Sequence, residues 1–235
     1  MMPVGRLFLI PTTLGSDNPL EVLPAYNVEV LKNISTFIVE DEKTARRFIK
    51  KIWREAIIDN MQFLLLNEHT KPEDTVHFLD KCTHEDIGLM SEAGVPCIAD
   101  PGNIIVNMAH AKGIEVVPLV GPSSIIMALM ASGLNGQNFA FNGYLPIEKP
   151  ARAKALKHLE NRSASENQTQ CFIEAPYRNN QLVADMLQCL SPATKLCIAC
   201  DISLPSQFIK MQTIDQWRKK VPDLHKRPAI FLISK

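Results

Sequence analysis

The chain has 235 residues, 46% of them apolar, with 25 basic and 25 acidic side chains and a formal net charge of zero. That length allows one large or two small domains with ordinary cores. The charge balance excludes a global field toward nucleic acid or anionic lipid, so any basic surface must be local.

The N-terminal run MMPVGRLFLIPTTLG is too short in apolar residues for a signal peptide. No segment approaches membrane-spanning length, so a soluble cytoplasmic protein without membrane contact is expected. Leu7–Ile10 reads as a first strand, closed by Pro11-Thr12-Thr13-Leu14-Gly15. A helical pattern then runs over 19–31, starting on Pro19, with Pro24 placed to kink it. Residues 36–40 form a second strand ending in Glu40-Asp41, and 42–54 are helical. Lys71-Pro72-Glu73-Asp74 opens a helix in 70–82, and Ile87–Met90 is another strand. Helix over 102–112, strand over 114–118 and helix over 122–132 complete a βαβ alternation that predicts a parallel sheet. The later chain alternates less regularly. Strands are expected at 139–141, 170–174, 195–199, 208–212 and 229–233, helices at 151–160, 178–190 and 214–219, and a polar loop at 163–168. A mixed sheet follows, with a domain boundary near Val120 dividing 1–119 from 120–235.

Two loops stand out. GLMSEAGVPCIADPG and VVPLVGPSSIIMALMASGL each pass from a short apolar run through small residues, glycine and proline into a helical pattern. Small residues at strand ends let a ligand approach the backbone, and open α/β sheets bind ligands outside the carboxyl ends of their strands. A cleft for a nucleotide-like molecule is expected there. In KTARRFIKKIWR, Lys43, Arg46, Arg47, Lys50, Lys51 and Arg54 fall on one helical face, with Ala45, Phe48, Ile49, Ile52 and Trp53 on the other. Like charges at i and i+4 repel, so the stripe points to a polyanion such as RNA; its alternative is a solvated face neutralised by acids from elsewhere. Lys149, Arg152, Lys154 and Lys157 extend such a surface less convincingly. Met127–Met130 reads as core. Six cysteines in apolar runs read as reduced and buried. Cys197 and Cys200, three apart on a strand, should face opposite ways. With no second pair and no HxxxH spacing, no metal site is expected.

The segments LFLIPTTLG (7–15), LKNISTFIVEDEKTARRFI (31–49), LMSEAGVPCIADPG (89–102), VVPLVGPSSIIMALMASGL (116–134), FNGYLP (141–146) and CFIEAPYR (171–178) carry a resemblance. In that order they resemble the tetrapyrrole-methylase superfamily of S-adenosylmethionine-dependent methyltransferases, nearest the branch that methylates a cytidine ribose 2′-oxygen in 16S ribosomal RNA. The resemblance implies a two-domain α/β fold with a Rossmann-like, mostly parallel first sheet, a mixed-sheet second domain and a cofactor cleft between them. It also implies a homodimer. By similarity, Pro11, Thr12, Ser91, Glu92, Ala93, Gly94, Pro96, Asp100, Gly121, Pro122, Ser123 and Ser124 line the S-adenosylmethionine site. Several signatures depart from the ribosomal branch: Glu92-Ala93-Gly94-Val95-Pro96, Glu40-Asp41-Glu42-Lys43, Glu174-Ala175-Pro176-Tyr177-Arg178 and Asp201-Ile202-Ser203-Leu204-Pro205. The chain also ends short of the C-terminal extension many members carry. The cofactor half is the better preserved.

A ribose hydroxyl is a poor nucleophile and gains from a nearby base. Glu40, Asp41 and Glu174, each at the carboxyl end of a strand, are the candidates, and Arg178 is a candidate phosphate clamp. The competing role for these acids is capping a helix or pairing with Arg46 and Arg178. Methylation of a tetrapyrrole or other small heterocycle, and cofactor binding without catalysis, remain the alternatives to RNA methylation.

Overall fold

A computed structural model describes residues 5–67 and 69–235. The first residues of the run weighed above as a signal peptide, 1–4, lie outside the described residues. The chain divides into two compact units, Met1–Ser123 and Ser124–Lys235.

In the first unit, β1 (Leu7–Ile10), β2 (Thr36–Val39), β3 (Gln62–Leu65), β4 (Ile87–Met90) and β5 (Val116–Pro118) form one sheet in the order β3-β2-β4-β1-β5. Every pairing in it is parallel. The side chains of β2 alternate between its two faces: Phe37 and Val39 join the core with Phe8, Leu31, Phe48 and Ile49, while Ile38 joins Leu7, Leu89, Ile105 and Ala109. Burial on both faces is why the central strands read as unbroken apolar runs. The first face is covered by α1 (Ala25–Lys32) and α2 (Glu42–Ile52), the second by α4 (Asn103–Ala111). The short α3 (Pro72–Thr75) lies between β3 and β4.

In the second unit, β6 (Phe139–Tyr144), β7 (Thr169–Ile173), β8 (Lys195–Cys200), β9 (Phe208–Thr213) and β10 (Ala229–Ser234) are ordered β6-β7-β10-β8-β9. Only β6 and β7 run parallel, so the sheet is mixed. Its larger core gathers Phe172, Phe231 and Ile198 with residues of α6 (Lys149–Glu166), α7 (Asn179–Cys189) and α8 (Ile214–Trp217). Trp217 is fully enclosed and satisfies its indole N–H on the Leu196 carbonyl at 2.9 Å. A reciprocal Thr213–Gln216 capping box starts its helix. The remaining helix, α5 (Ser124–Ser132), packs on β8, β9 and β10.

Several expectations are corrected. The single helix over 19–31 is broken: a 3-10 turn spans Pro19–Glu21, and Pro24 caps α1 instead of kinking it. The helix expected in 70–82 reduces to α3 and a 3-10 turn, Asp80–Thr83. The polar loop at 163–168 is mostly helix, because α6 continues to Glu166 before Asn167 ends it at φ 48°. Ser163 is buried there and accepts from the Lys235 N–H at 3.1 Å. β3 had not been foreseen. Met130 is not core; it is 78% exposed on α5, whose buried residues are Ile125, Ala128, Leu129 and Ser132. Cys200 joins the larger core and Cys197 does not, as expected of alternating faces. Burial pushes both thiols up to about 11.

Arg152 does not belong to a basic surface. It is buried, donating through Nε at 2.8 Å and through a terminal nitrogen at 2.5 Å to Asp185 of α7. Its other terminal nitrogen donates to the carbonyls of Pro146 and Ile147. Lys157 is likewise engaged, with buried Glu160 at 3.0 Å.

Candidate active site

Three loops leave the carboxyl ends of β1, β4 and β5 and are tied together. The Thr12 N–H donates to the Gly94 carbonyl at 2.9 Å, Val95 donates to Pro122 at 3.0 Å, and the Ser91 hydroxyl donates to Gly94 at 2.7 Å. Gly94 sits at φ 75°, and a Cβ there would lie 2.8 Å from the Pro122 carbonyl oxygen. At Gly121 a Cβ would lie 2.2 Å from the Pro11 ring. Both glycines thus serve the close approach of one loop to another. The Asp100 carboxylate accepts from the N–H groups of Cys97, at 2.8 and 3.0 Å, and Gly102, at 2.8 Å. It holds Cys97 and Ala99 in left-handed backbone, φ 68° and 65°.

Glu40 follows the last residue of β2, and Asp41 then caps α2, accepting from the Thr44 N–H at 2.7 Å. Those hydrogen bonds from Thr44 hold the Asp41 carboxyl below its usual range, and the charges of Lys43 and Arg47 add to the effect. Glu40 is shifted the other way. Burial, followed by the negative charges of Asp100 and Glu92, raises its pKa, opposed by a backbone N–H from Glu92.

A cavity of about 240 Å³ opens at these strand tips, lined by Thr12, Glu40, Asp41, Arg47, Lys51, Ser91 and Glu92 among others. It brings together residues that the sequence assigned to three different roles. Lys51 is held by Asp17 at 2.9 Å, whereas the Arg47 guanidinium makes no hydrogen bond or ion pair among the described residues. Thr12 is 5% exposed, and its Oγ1 is enclosed without a hydrogen-bond partner among the described residues. A buried hydroxyl in that state is completed by a ligand or water.

Other sequence candidates fall outside this cavity. Pro96 and Asp100 flank Glu40 in a small adjoining void. Pro11, Ala93, Gly94, Gly121, Pro122 and Ser123 shape the tied loops without lining the cavity. Along α2, Lys43, Arg46 and Lys50 are exposed, as is Arg54 just beyond it, while Ala45, Phe48 and Ile49 are buried. Arg46 pairs with Glu42 at 2.6 Å and stacks on Phe63, and Lys50 donates to the Arg54 carbonyl. Acids therefore neutralise part of the stripe. Ser124 begins α5 in the second unit. Glu174 and Arg178 also lie there, paired at 2.6 Å after β7.

The sequence reading missed Thr13, Ser16 and Thr44, which also line the cavity. For Thr44 the signal was present: it is three residues after a helix-capping aspartate and one turn before Phe48.

No family model matches the chain. It is 30% identical over 210 residues to ribosomal RNA small subunit methyltransferase I of Pseudomonas aeruginosa, covering 89% of this chain and 70% of that protein. The protein of the same name from Vibrio cholerae is 31% identical over 205 residues, covering 87% and 67%. That of Escherichia coli O157:H7 is 29% identical over 234 residues, covering 98% and 78%. Among solved structures, the methyltransferase CobJ superposes with a TM-score of 0.64 at 14% identity, covering 98% of this chain and 94% of that one. Uroporphyrin III C-methyl transferase from Thermus thermophilus gives 0.57 at 16%, covering 98% of each chain. The structural likenesses establish a shared two-domain fold, and the sequence identities, sustained over most of both partners, make the chain a member of the ribosomal RNA small subunit methyltransferase I family.

Proposed function

We propose that the protein transfers a methyl group from S-adenosylmethionine to the ribose 2′-oxygen of a cytidine in small-subunit ribosomal RNA. The same reading makes it a cytoplasmic homodimer. The observation that carries it is the cavity at the strand tips, which joins an acid of raised pKa, two cations and an unpartnered hydroxyl.

The residues present fit the donor. Thr12 offers a buried hydroxyl lacking a partner among the described residues, and beside it Ser91, Glu92, Ala93, Gly94 and Pro96 form a loop tied to Pro122. Pro11, Asp100, Gly121 and Ser123 complete the proposed donor set within the first unit. When bound, the donor supplies an electrophilic methyl carbon. The chain's own work is alignment and proton removal. Glu40 is the proton acceptor for the ribose hydroxyl: it faces the cavity, and its raised pKa makes it a stronger base than an ordinary carboxylate. Asp41, bonded to Thr44, is committed to starting α2 and leaves Glu40 the better-placed base. Arg47 and Lys51 hold backbone phosphates and fix the nucleotide against the tied loops. Lys43, Lys50 and Arg54 extend that contact along and just beyond α2.

Replacing Arg47 with Ala removes an exposed cation that makes no hydrogen bond or ion pair among the described residues and adds only a charge effect on exposed Asp41, so folding should be little affected. RNA affinity should fall, and the slope of log Kd against log salt should decrease by about one. Filter binding across a salt series, with donor affinity measured in parallel, tests this; an unchanged slope would remove Arg47 from the RNA contact.

A further inference from the structure

In the second unit, β6 and β7 run parallel and end side by side, with Tyr144 in register with Ile173. The pairing is irregular between Phe141 and Tyr144, where Gly143 adopts φ 62°. Such a bulge re-aims the side chain that follows it. The Asn142 amide braces the bulge, donating to the Gln170 side chain at 3.1 Å and the Cys171 carbonyl at 3.2 Å. Tyr144 emerges 60% exposed. Four residues beyond Ile173, in a 3-10 turn, Tyr177 is 62% exposed.

Next to Tyr177 in the chain, Arg178 is fixed rather than free. Two of its nitrogens donate to Glu174 Oε1 at 3.0 and 2.6 Å, and a third donates to the Tyr177 hydroxyl at 3.0 Å. Its guanidinium carbon lies 5.1 Å from the Tyr177 ring centroid. Glu174 is itself buried and accepts the Ala175 N–H at 2.7 Å. The Glu174 hydrogen bond raises the Arg178 pKa, with the nearby hydroxyls of Tyr177 and Tyr144 adding to it. The turn is pinned from behind by the Lys226 N–H on the Pro176 carbonyl at 3.0 Å, which leaves the Lys226 side chain exposed beside it.

Large aromatic rings held at the surface by a bulge and a buried ion pair serve no core. With a planar cation against the Tyr177 ring, they present faces on which unpaired bases stack, with Lys226 available to a phosphate. We propose that Tyr144, Tyr177 and Arg178 form a stacking platform for an unpaired nucleobase of the substrate RNA, a site built from the second unit alone. This deepens the functional reading and rests on RNA being the substrate.

The test is the Kd for a fluorescein-labelled single-stranded oligoribonucleotide, for a duplex of the same length, and for S-adenosylmethionine. Wild type is compared with Tyr177→Leu, Tyr144→Leu and Tyr177→Phe, and thermal melting confirms that each variant is folded. Either Leu variant should weaken single-strand binding about tenfold. Tyr177→Phe keeps the ring and should stay within about twofold of wild type, and duplex and donor affinities should not change. Equal single-strand binding by wild type and both Leu variants would overturn the platform while leaving RNA methylation standing. A loss confined to S-adenosylmethionine would assign the rings to the donor's adenine and overturn it too. Absence of any RNA binding by wild type would overturn the functional reading itself.

Discussion

Replacing Glu40 with Gln is expected to lower the rate of RNA methylation about 10²- to 10⁴-fold, the usual contribution of a positioned general base. The substitution keeps size and shape and removes only the ability to accept a proton. Glu40 is crowded by Asp100 and Glu92 as well as buried, and its pKa is raised. A carboxyl whose folded pKa lies above its unfolded value costs stability once the pH exceeds the unfolded value, because the folded chain then holds a charge it disfavours. The Gln variant should therefore melt at the same temperature or higher at neutral pH while losing activity, a combination that a merely structural role would not produce. With Glu40 as the proposed base, wild-type activity requires it ionised. It should be present at neutral pH and lost as pH falls through the Glu40 pKa, above the usual carboxylate value of 4.5. The acid limb should be absent from the residual activity of the variant. Single-turnover rates across a pH series, with melting curves alongside, measure both; a Gln variant of normal rate would return the role to Asp41 or to Glu174.

The largest stability effect should come from Asp185→Ala, at about 3–5 kcal/mol. Arg152 and Asp185 are both nearly solvent-free and bonded to each other. Deleting the carboxylate leaves a guanidinium buried among α6, α7 and two backbone carbonyls, with its charge uncompensated. Removing both charges with apolar residues of similar volume, Arg152→Met with Asp185→Leu, should recover most of the loss. Urea denaturation of wild type and of both variants decides the matter. A cost below about 1 kcal/mol for Asp185→Ala would mean that water reaches the pair.

Arg152 also shows where sequence reading reached its limit. Its neighbours Lys149, Lys154 and Lys157 suggested a solvated cationic face, and nothing local says that an aspartate 33 residues on would bury it. The same holds for Ser163, whose polar surroundings read as a loop until packing and the Lys235 N–H extended α6. β3 is an edge strand that pairs on one side only and is half exposed, and its unbroken apolar run, residues 63–66, lacks the glycine- and proline-rich exit that marks the ends of β1 and β4. By contrast, β1 and β4 are buried on both faces, and their limits were legible to the residue. Helical periodicity also placed Phe48 and Ile49 inward and the cations outward on α2.

For the candidate site, strand-end position named Glu40 and Asp41 together with Glu174, and helical spacing named Arg47 and Lys51 only as two of six cations on one face. The convergence of Glu40, Asp41, Arg47 and Lys51 on one cavity depends on β2 lying beside β4, across the sheet from its chain neighbour β1. The separate fates of the two acids, one capping and one crowded, follow from a hydrogen bond and two distant charges that a linear reading does not contain.

The most direct measurement is mass spectrometry of nucleosides from small-subunit ribosomal RNA incubated with the protein and methyl-labelled S-adenosylmethionine. The expected product is 2′-O-methylcytidine carrying the label, formed by wild type and strongly reduced with the Glu40→Gln variant. Label found on a base, or none in RNA while a small heterocycle accepts it, would contradict ribose methylation.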